Sequence, residues 1–233
     1  MPTEIYRATL MQRLMGAFVL AFMTPVAVGM AVTAFVLMSQ DFSAALILAL
    51  IAAAMAFLVG YVARDAYAKW TLRAAFGPTS VALRLPAGRS LIHELPAFDG
   101  VIEYADMLAL ETRLEAYRSF GMAAMQRAYG LRLRSGALII LGEDRALGTR
   151  MAQLGAQGLA DKLAARAGLT IADLGMVEGR GGVLLVAGAA PEAWSAPSLE
   201  QDQQTRLWRR VASTGAVPLT IFLTALLISS AFG

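Results

Sequence analysis

The pattern of hydrophobic and polar positions divides the chain into three long apolar runs and one mixed middle region. The runs cover residues 15–38, 42–63 and 211–233, and no Asp, Glu, Lys or Arg interrupts any of them. About 20 apolar residues in a helix, rising 1.5 Å per residue, cross the roughly 30 Å hydrocarbon core of a bilayer. The pattern therefore predicts three transmembrane helices, of which the first two form a tight hairpin through residues 39–41.

The basic residues that flank these runs all fall on one side of the predicted membrane. They precede the first run, follow the second and precede the third: Arg7, Arg13, Arg64, Lys69, Arg73, Arg206, Arg209 and Arg210. The short turn at residues 39–41 has no Lys or Arg. Because Lys and Arg are in excess on the cytoplasmic side of membrane proteins, this basic side is predicted to face the cytoplasm. We expect the N-terminus and middle region to be cytoplasmic and the C-terminus to lie on the outer side.

Small residues recur at a spacing of four along the second run. Small side chains at this spacing let helix backbones approach closely in a membrane. The general abundance of alanine in this chain is the alternative explanation. The candidates for packing against another helix are Ala45, Ala49, Ala52, Ala53, Ala56 and Gly60.

The middle region changes from a period of two to a helical period. Alternation over residues 81–85, 110–117 and 129–134 predicts strands. Residues 90–95, which end just before Pro96, and the apolar run 137–141, which follows a hairpin turn at residues 135–136, are interpreted as two more strands. An amphipathic helix follows, with Thr149 as its N-cap and Gly168 at its C-terminal end. The glycine-rich stretch around residues 178–182 indicates a mobile turn. We predict an N-terminal segment with a transmembrane hairpin over 1–73, a cytoplasmic α+β domain with its connector over 74–204, and a C-terminal transmembrane helix over 205–233.

Three consecutive segments of the middle region resemble bacterial pleckstrin-homology-like membrane proteins. They are the run from Ile102 to Arg113, the run from Tyr129 to Leu141, and the helix that follows. In that family, a hairpin of transmembrane helices commonly precedes a bent antiparallel sheet capped by a helix. The resemblance implies this fold and a role in scaffolding, binding or regulation, and it implies no catalytic residue.

Composition narrows the chemistry that the chain can perform. Hydrophobic residues make up 58% and charged residues 16%, against about 45–50% and about 25% in a soluble domain. The absence of cysteine excludes disulfides, thiolate zinc sites, iron–sulfur clusters and a cysteine nucleophile. The single histidine, His93, lacks the second histidine of a zinc-protease helix, and we interpret it as a strand-edge residue. We therefore predict no catalytic residue, no cofactor and no metal.

Arginines of the middle region are the candidates for contact with lipid or with a partner. A basic sheet face near the anionic inner leaflet would gain about 1 kcal/mol per well-placed Lys or Arg. The region as a whole is nearly neutral, which disfavours nucleic acid as a partner. Its acidic residues, Glu111 and Glu115 among them, are interpreted as part of a solvated charged face. The candidate arginines are Arg84, Arg89, Arg132, Arg134, Arg145 and Arg150.

These observations favour a non-catalytic inner-membrane scaffold, accessory subunit or assembly and regulatory factor. Its expected partners are membrane lipids and other integral membrane protein subunits. Apolar runs without ionisable residues argue against a self-contained transporter. Two alternatives stay open: a peripheral module that binds anionic lipid through the arginine-bearing sheet, and a membrane enzyme that uses acidic or arginine side chains of the domain.

Overall fold

A long helical hairpin opens the fold. The computed structural model describes residues 4–90, 92–119, 122–146, 154–182 and 185–213. Helix α1 (Leu10–Leu37) begins at Thr9, which forms a capping box with Gln12, and Pro25 lies inside it. Helix α2 (Phe42–Thr71) begins at Asp41, whose carboxylate accepts the backbone N–H of Ala44. The tight turn predicted at residues 39–41 is confirmed.

The hairpin buries small residues along its seam and exposes large apolar residues to its surroundings. Gly16 approaches α2 so closely that a Cβ there would lie 3.1 Å from the Cβ of Ala66. Phe18 and Phe35, by contrast, are 70% and 75% exposed. Among the described residues, α1 and α2 are the two helices long and apolar enough to span a membrane. The predicted third span covers residues 211–233, and all of it after residue 213 lies outside the described residues.

A four-stranded antiparallel sheet closes the base of the hairpin. Strands β1 (Glu4–Tyr6), β2 (Arg73–Phe76), β3 (Ser80–Leu85) and β4 (Phe98–Glu103) are paired in that order. Strand β1 leads directly into α1, and β2 follows directly on α2. Their pairing, with Ile5 opposite Ala75, ties the two ends of the hairpin together and connects them to the domain.

A five-stranded sheet forms the rest of the domain. After a short 3₁₀ turn (Tyr104–Asp106) come β5 (Met107–Ser119), β6 (Met122–Leu133) and β7 (Leu138–Arg145). Helix α3 (Ala156–Ala167) then leads to β8 (Ile171–Gly182) and β9 (Leu185–Ala190), and the strand order is β7-β6-β5-β8-β9. Strand β8 runs parallel to β5, because the connection from β7 to β8 crosses over through α3 and returns the chain in the direction of β5. The expectation of an entirely antiparallel sheet is therefore wrong at this pairing.

The core lies between the two sheets and α3. Leu83, Leu110, Leu131, Leu159 and Leu163 are among its fully buried side chains. This arrangement confirms an α+β, sheet-rich domain after the helical hairpin.

The last described residues, 201–213, are helical, and we refer to them as α4. Its Leu207 and Val211 pack against Met125 and Met176 of the five-stranded sheet. The predicted C-terminal transmembrane helix, residues 205–233, extends beyond the described residues, and its described part belongs to α4, which packs on the domain.

Several local predictions can be compared directly with the structure. Strands β3 and β5 contain their predicted segments, and β6 and β7 contain theirs except for Arg134 and Ala137. Gly136 has a φ of +88° in the predicted turn. Gly168 ends α3 in the left-handed conformation, as expected. Residues 90–95 were predicted as a strand, but their described part is an irregular loop, and Thr149 lies outside the described residues.

The glycine-rich stretch is part of a strand rather than the turn that the sequence suggested. It lies within β8, where a Cβ on Gly181 would overlap the carbonyl oxygen of Arg118 on β5. Glycine at this position lets the backbones of the two neighbouring strands approach closely.

Candidate functional site

Three polar side chains from separate elements meet in the interior of the domain. His93 comes from the loop of residues 86–97, Glu115 from β5 and Glu143 from β7. Their side chains are 4%, 2% and 1% exposed. Nε2 of His93 lies 2.8 Å from Oε1 of Glu143 and 3.7 Å from Oε2 of Glu115. We refer to these three residues as the buried His–Glu cluster.

The loop that carries His93 is held from two sides. On the side of the hairpin, the Arg64 guanidinium of α2 donates to the backbone carbonyl of Ser90 at 2.9 Å. On the side of the sheet, the buried Arg89 donates to the carbonyl oxygens of Ile140 at 2.9 Å and Pro86 at 2.7 Å. The cluster therefore lies where the helical hairpin meets the sheet domain.

The ring of His93 is oriented by its own loop. The Ser90 hydroxyl accepts the backbone N–H of His93 at 3.3 Å, and Nδ1 of the ring lies 3.3 Å from the carbonyl oxygen of Glu94. A proton on Nδ1, donated to that carbonyl, directs Nε2 toward the two carboxylates.

Glu115 is held by its neighbours on the same face of β5. Arg113 donates from Nε and Nη2 to Oε1 of Glu115 at 2.8 and 2.6 Å, and the Tyr117 hydroxyl donates to Oε2 at 2.5 Å. Arg113 also donates to the carbonyls of Glu192 and Ala193. The interpretation of Glu115 as part of a solvated face is therefore wrong. The His93 loop and the segment after β9 cover this face of β5, and the alternating pattern of the strand does not reveal that cover.

Electrostatics within the cluster follow from burial and from the neighbouring charges. Burial alone would lower the pKa of His93, but the carboxylates of Glu115 and Glu143 outweigh it and raise that pKa to about 10. Burial likewise opposes the charged form of Glu115, but contacts with His93, Tyr117 and Arg113 lower its pKa. Burial raises the pKa of Glu143. Near neutral pH, the raised pKa keeps the imidazole of His93 protonated beside the two carboxylates.

The candidate arginines lie in different parts of the fold. Arg84 is exposed and lies 3.9 Å from Asp99, whereas Arg89 is 2% exposed and bonds to main-chain carbonyls. Arg132 forms a two-point ion pair with Glu111.

The other three candidate arginines are Arg134, Arg145 and Arg150. Arg134 is exposed and donates to the carbonyl of Ala105. Arg145 lies at the base of the hairpin, near Gly16 and Lys69, at the opposite end of the β6–β7 pair from Arg132. Arg150 lies outside the described residues. The structure therefore does not gather the arginines that it describes on one face.

The small residues of α2 divide into two groups. Ala45 and Ala52 are buried against α1, and Ala49 is half-buried. Ala53, Ala56 and Gly60 are exposed. Ala49, Ala52, Ala53 and Ala56 line one wall of an open apolar groove of about 490 Å³, whose other wall is formed by Ala27, Ala31 and Phe35 of α1. We refer to this feature as the hairpin groove.

Gly88 links the His93 loop to α2. A Cβ there would lie 2.6 Å from Cγ and 2.9 Å from the carbonyl oxygen of Arg64. We expect Gly88→Val to push the loop away from α2 and to destabilise the full chain by about 1–3 kcal/mol. Denaturant titration in detergent measures this loss. Ala87→Val, at an exposed neighbouring position, is the control and should change stability by less than about 0.5 kcal/mol.

Sequence reasoning missed Glu115 and Glu143 as site residues. Glu115 lies on a strand whose alternation is compatible with an exposed face. Glu143 follows the apolar end of its strand in the same way as many solvent-facing acids do. Their one distinctive signal is the chain's single histidine, and nothing in the sequence shows which acids it meets.

Comparison of the chain with protein-family models, with curated proteins and with solved structures finds no match. The proposals that follow therefore rest on the geometry of the described residues.

Proposed function

We propose that this protein is a non-catalytic, membrane-anchored scaffold or accessory subunit of a larger membrane protein complex. Its sheet domain is the binding module, held at the cytoplasmic face of the bacterial inner membrane. The observation that carries the proposal is the exposed apolar surface of the helical hairpin. Large side chains such as Phe22, Phe42 and Leu50 are 67%, 66% and 64% exposed.

A water-facing hairpin would be poorly soluble with such a surface. Contiguous exposed apolar surface of this extent is typical of membrane or protein contact. The polar boundary supports the membrane interpretation. Arg13 lies 4.9 Å over the ring of Trp70, and Arg64 lies 5.0 Å over the ring of Tyr61. Both pairs are at the domain end of the hairpin, where aromatic and basic residues are typical of a membrane interface.

The connection between hairpin and domain favours a scaffold. The β1–β2 pairing and the contacts of Arg64 with the His93 loop fix the domain to the helices at several points. A domain attached in this way keeps a defined position relative to the membrane surface. A flexibly linked domain would not.

The hairpin groove supplies a surface on which another transmembrane helix can dock. Its walls are mostly alanine, and small residues allow the close backbone approach on which helix association in lipid depends. We assign this groove to a helix of a partner subunit. The orientation of the helices follows from the distribution of basic residues described above.

Affinity purification of the tagged full chain from native membranes in mild detergent tests the proposal. We expect integral membrane proteins to co-purify in fixed stoichiometry. We expect Ala53→Leu/Ala56→Leu, which fills the groove, to reduce partner recovery by about tenfold or more, equivalent to at least about 1.4 kcal/mol.

Ala54→Leu is the matched control for that experiment. It is an exposed alanine one position away that does not line the groove, and it should leave recovery unchanged. A chain that purifies alone would contradict the scaffold role and favour the lipid-binding alternative. Equal recovery by both variants would contradict the assignment of the groove.

A further inference from the structure

We infer that the buried His–Glu cluster is a structural site for a divalent transition-metal ion, with His93, Glu115 and Glu143 as its ligands. This inference is independent of the proposed scaffold role, since it concerns how the domain is held together. The first observation is proximity. One ligand atom from each of the three residues lies within 4.8 Å of the other two.

The second observation is that the polar atoms at the centre of the cluster are not satisfied by the protein. Nε2 of His93 and both carboxylate oxygens of Glu143 are buried, and within the described ranges none of them has a hydrogen-bond partner. The 2.8 Å contact between Nε2 and Oε1 of Glu143 is thus a close approach without the alignment that a hydrogen bond needs. Leaving three such atoms unsatisfied is costly, and a bound cation would satisfy all of them.

The third observation is the orientation of the candidate ligands. The contact of Nδ1 of His93 with the carbonyl of Glu94 is the outer contact that metal-binding histidines commonly make. Glu115 is likewise fixed by Arg113 and Tyr117. Each of these two side chains is therefore oriented by a neighbour that is not itself a ligand.

The donor set narrows the identity of the ion. One imidazole nitrogen with carboxylate oxygens suits Zn²⁺, Fe²⁺ or Mn²⁺, whereas Ca²⁺ and Mg²⁺ prefer oxygen ligands alone. Nε2 of His93, both oxygens of Glu143 and Oε2 of Glu115 would provide four donors, the usual number for zinc.

The charge of the surroundings is compatible with such an ion. Binding of the ion releases the proton of His93. The two carboxylates then carry a charge of about −2, which a divalent ion neutralises, beside the buried guanidinium groups of Arg113 and Arg89.

The burial of the site indicates a structural rather than a catalytic ion. All three side chains are less than 5% exposed, so a substrate has no direct access to them. An ion here would connect the His93 loop, β5 and β7. Because Arg64 holds the same loop, the metal would also stabilise the junction between domain and hairpin.

Metal binding to the full chain in detergent, after removal of metal with a chelator, tests the inference with Zn²⁺ and Co²⁺ as probes. We expect one Zn²⁺ per chain with a Kd below about 1 μM, measured by competition with a chromogenic chelator. Co²⁺ should give the visible absorption of a four-coordinate site with nitrogen and oxygen ligands. Zn²⁺ should also raise the Tm of the wild-type chain.

Variants distinguish this site from adventitious binding at the surface. Glu143→Gln and His93→Gln should each weaken Zn²⁺ binding by about 100-fold or more. Each removes a ligand of the ion, which costs more affinity than losing a residue that only orients a ligand. Glu94→Gln is the control, since its side chain is 88% exposed and next to His93 in sequence, and it should bind like the wild type.

Two results would overturn the inference. One is a wild-type chain that binds neither ion at a defined stoichiometry and gives no Co²⁺ spectrum, a readout that needs no variant to fold. The other is equal Zn²⁺ binding by folded Glu143→Gln and Glu94→Gln chains. Either result would identify the cluster as a proton-sharing ion-pair network without metal.

Discussion

Replacing Arg113 with methionine is expected to destabilise the protein by about 3–5 kcal/mol. Arg113 is 2% exposed, and its guanidinium neutralises Glu115 through two hydrogen bonds to one carboxylate oxygen. The substitution keeps most of the apolar volume but leaves the Glu115 carboxylate buried without its main positive partner. It also removes two donors from the carbonyls of Glu192 and Ala193 and the stacking on Trp194. Denaturant unfolding of the full chain in detergent, followed by tryptophan fluorescence, measures the loss.

Arg132→Met is the matched control for this prediction. Arg132 also forms a two-point ion pair with a glutamate on β5, but its side chain is 32% exposed. We expect it to cost less than about 1 kcal/mol, because solvent screens such a pair. Adding Glu115→Gln to Arg113→Met should recover part of the stability, since it removes the unpaired charge. If the two single arginine variants lost the same stability, the burial argument for Arg113 would be wrong.

Replacing Asp144 with alanine is expected to cost about 2–3 kcal/mol. Asp144 is 4% exposed and caps α3 from the preceding strand. Its Oδ1 accepts the backbone N–H groups of Gly155 at 2.9 Å and Ala156 at 3.2 Å, and its Oδ2 accepts that of Gln157 at 2.8 Å. The carboxylate also interacts favourably with the positive end of the helix dipole. Alanine would leave these donors without their acceptor.

Amide hydrogen exchange of α3 and denaturant titration together measure the effect of Asp144→Ala. Protection should fall first in the N-terminal turn of α3. Asp173→Ala is the comparison, since Asp173 also accepts a backbone N–H, that of Gly175 at 2.9 Å, but is exposed. We expect it to cost less than about 1 kcal/mol. Unchanged protection of α3 in Asp144→Ala would contradict the capping role.

Much of the fold can be predicted from local pattern. An uncharged run longer than 20 residues has few structural alternatives, and α1 and α2 cover both predicted segments except for Met38, which follows the end of α1. Alternation located three strands, and an apolar run after a turn located a fourth. Gly136 and Gly168 are identified as turn and helix-end residues because their backbone conformations favour glycine. Thr149 is predicted as the N-cap of α3 only because it directly precedes the helical pattern in the sequence. The cap that the structure shows is Asp144, which lies outside the helix on the preceding strand.

The site could not be predicted in this way, because it depends on contacts between residues far apart in the chain. The single histidine, His93, meets Glu115 and Glu143, which belong to two later strands of the chain. Period two assigns a residue to one face of a strand, but it does not show whether that face is covered. Arg113, Glu115 and Tyr117 are buried because separate segments fold over them.

By itself, the sequence determined the two long apolar helices, the tight turn between them and the α+β character of the domain that follows. These features arise from short-range hydrophobic patterns and from backbone conformations restricted by single residues. Only the tertiary structure decided the parallel pairing of β5 and β8, the packing of α4 on the sheet, and the buried His–Glu cluster. Each of these features depends on contacts between segments that are far apart in the chain. The burial of apolar surface that stabilises such contacts occurs only once the whole domain is folded.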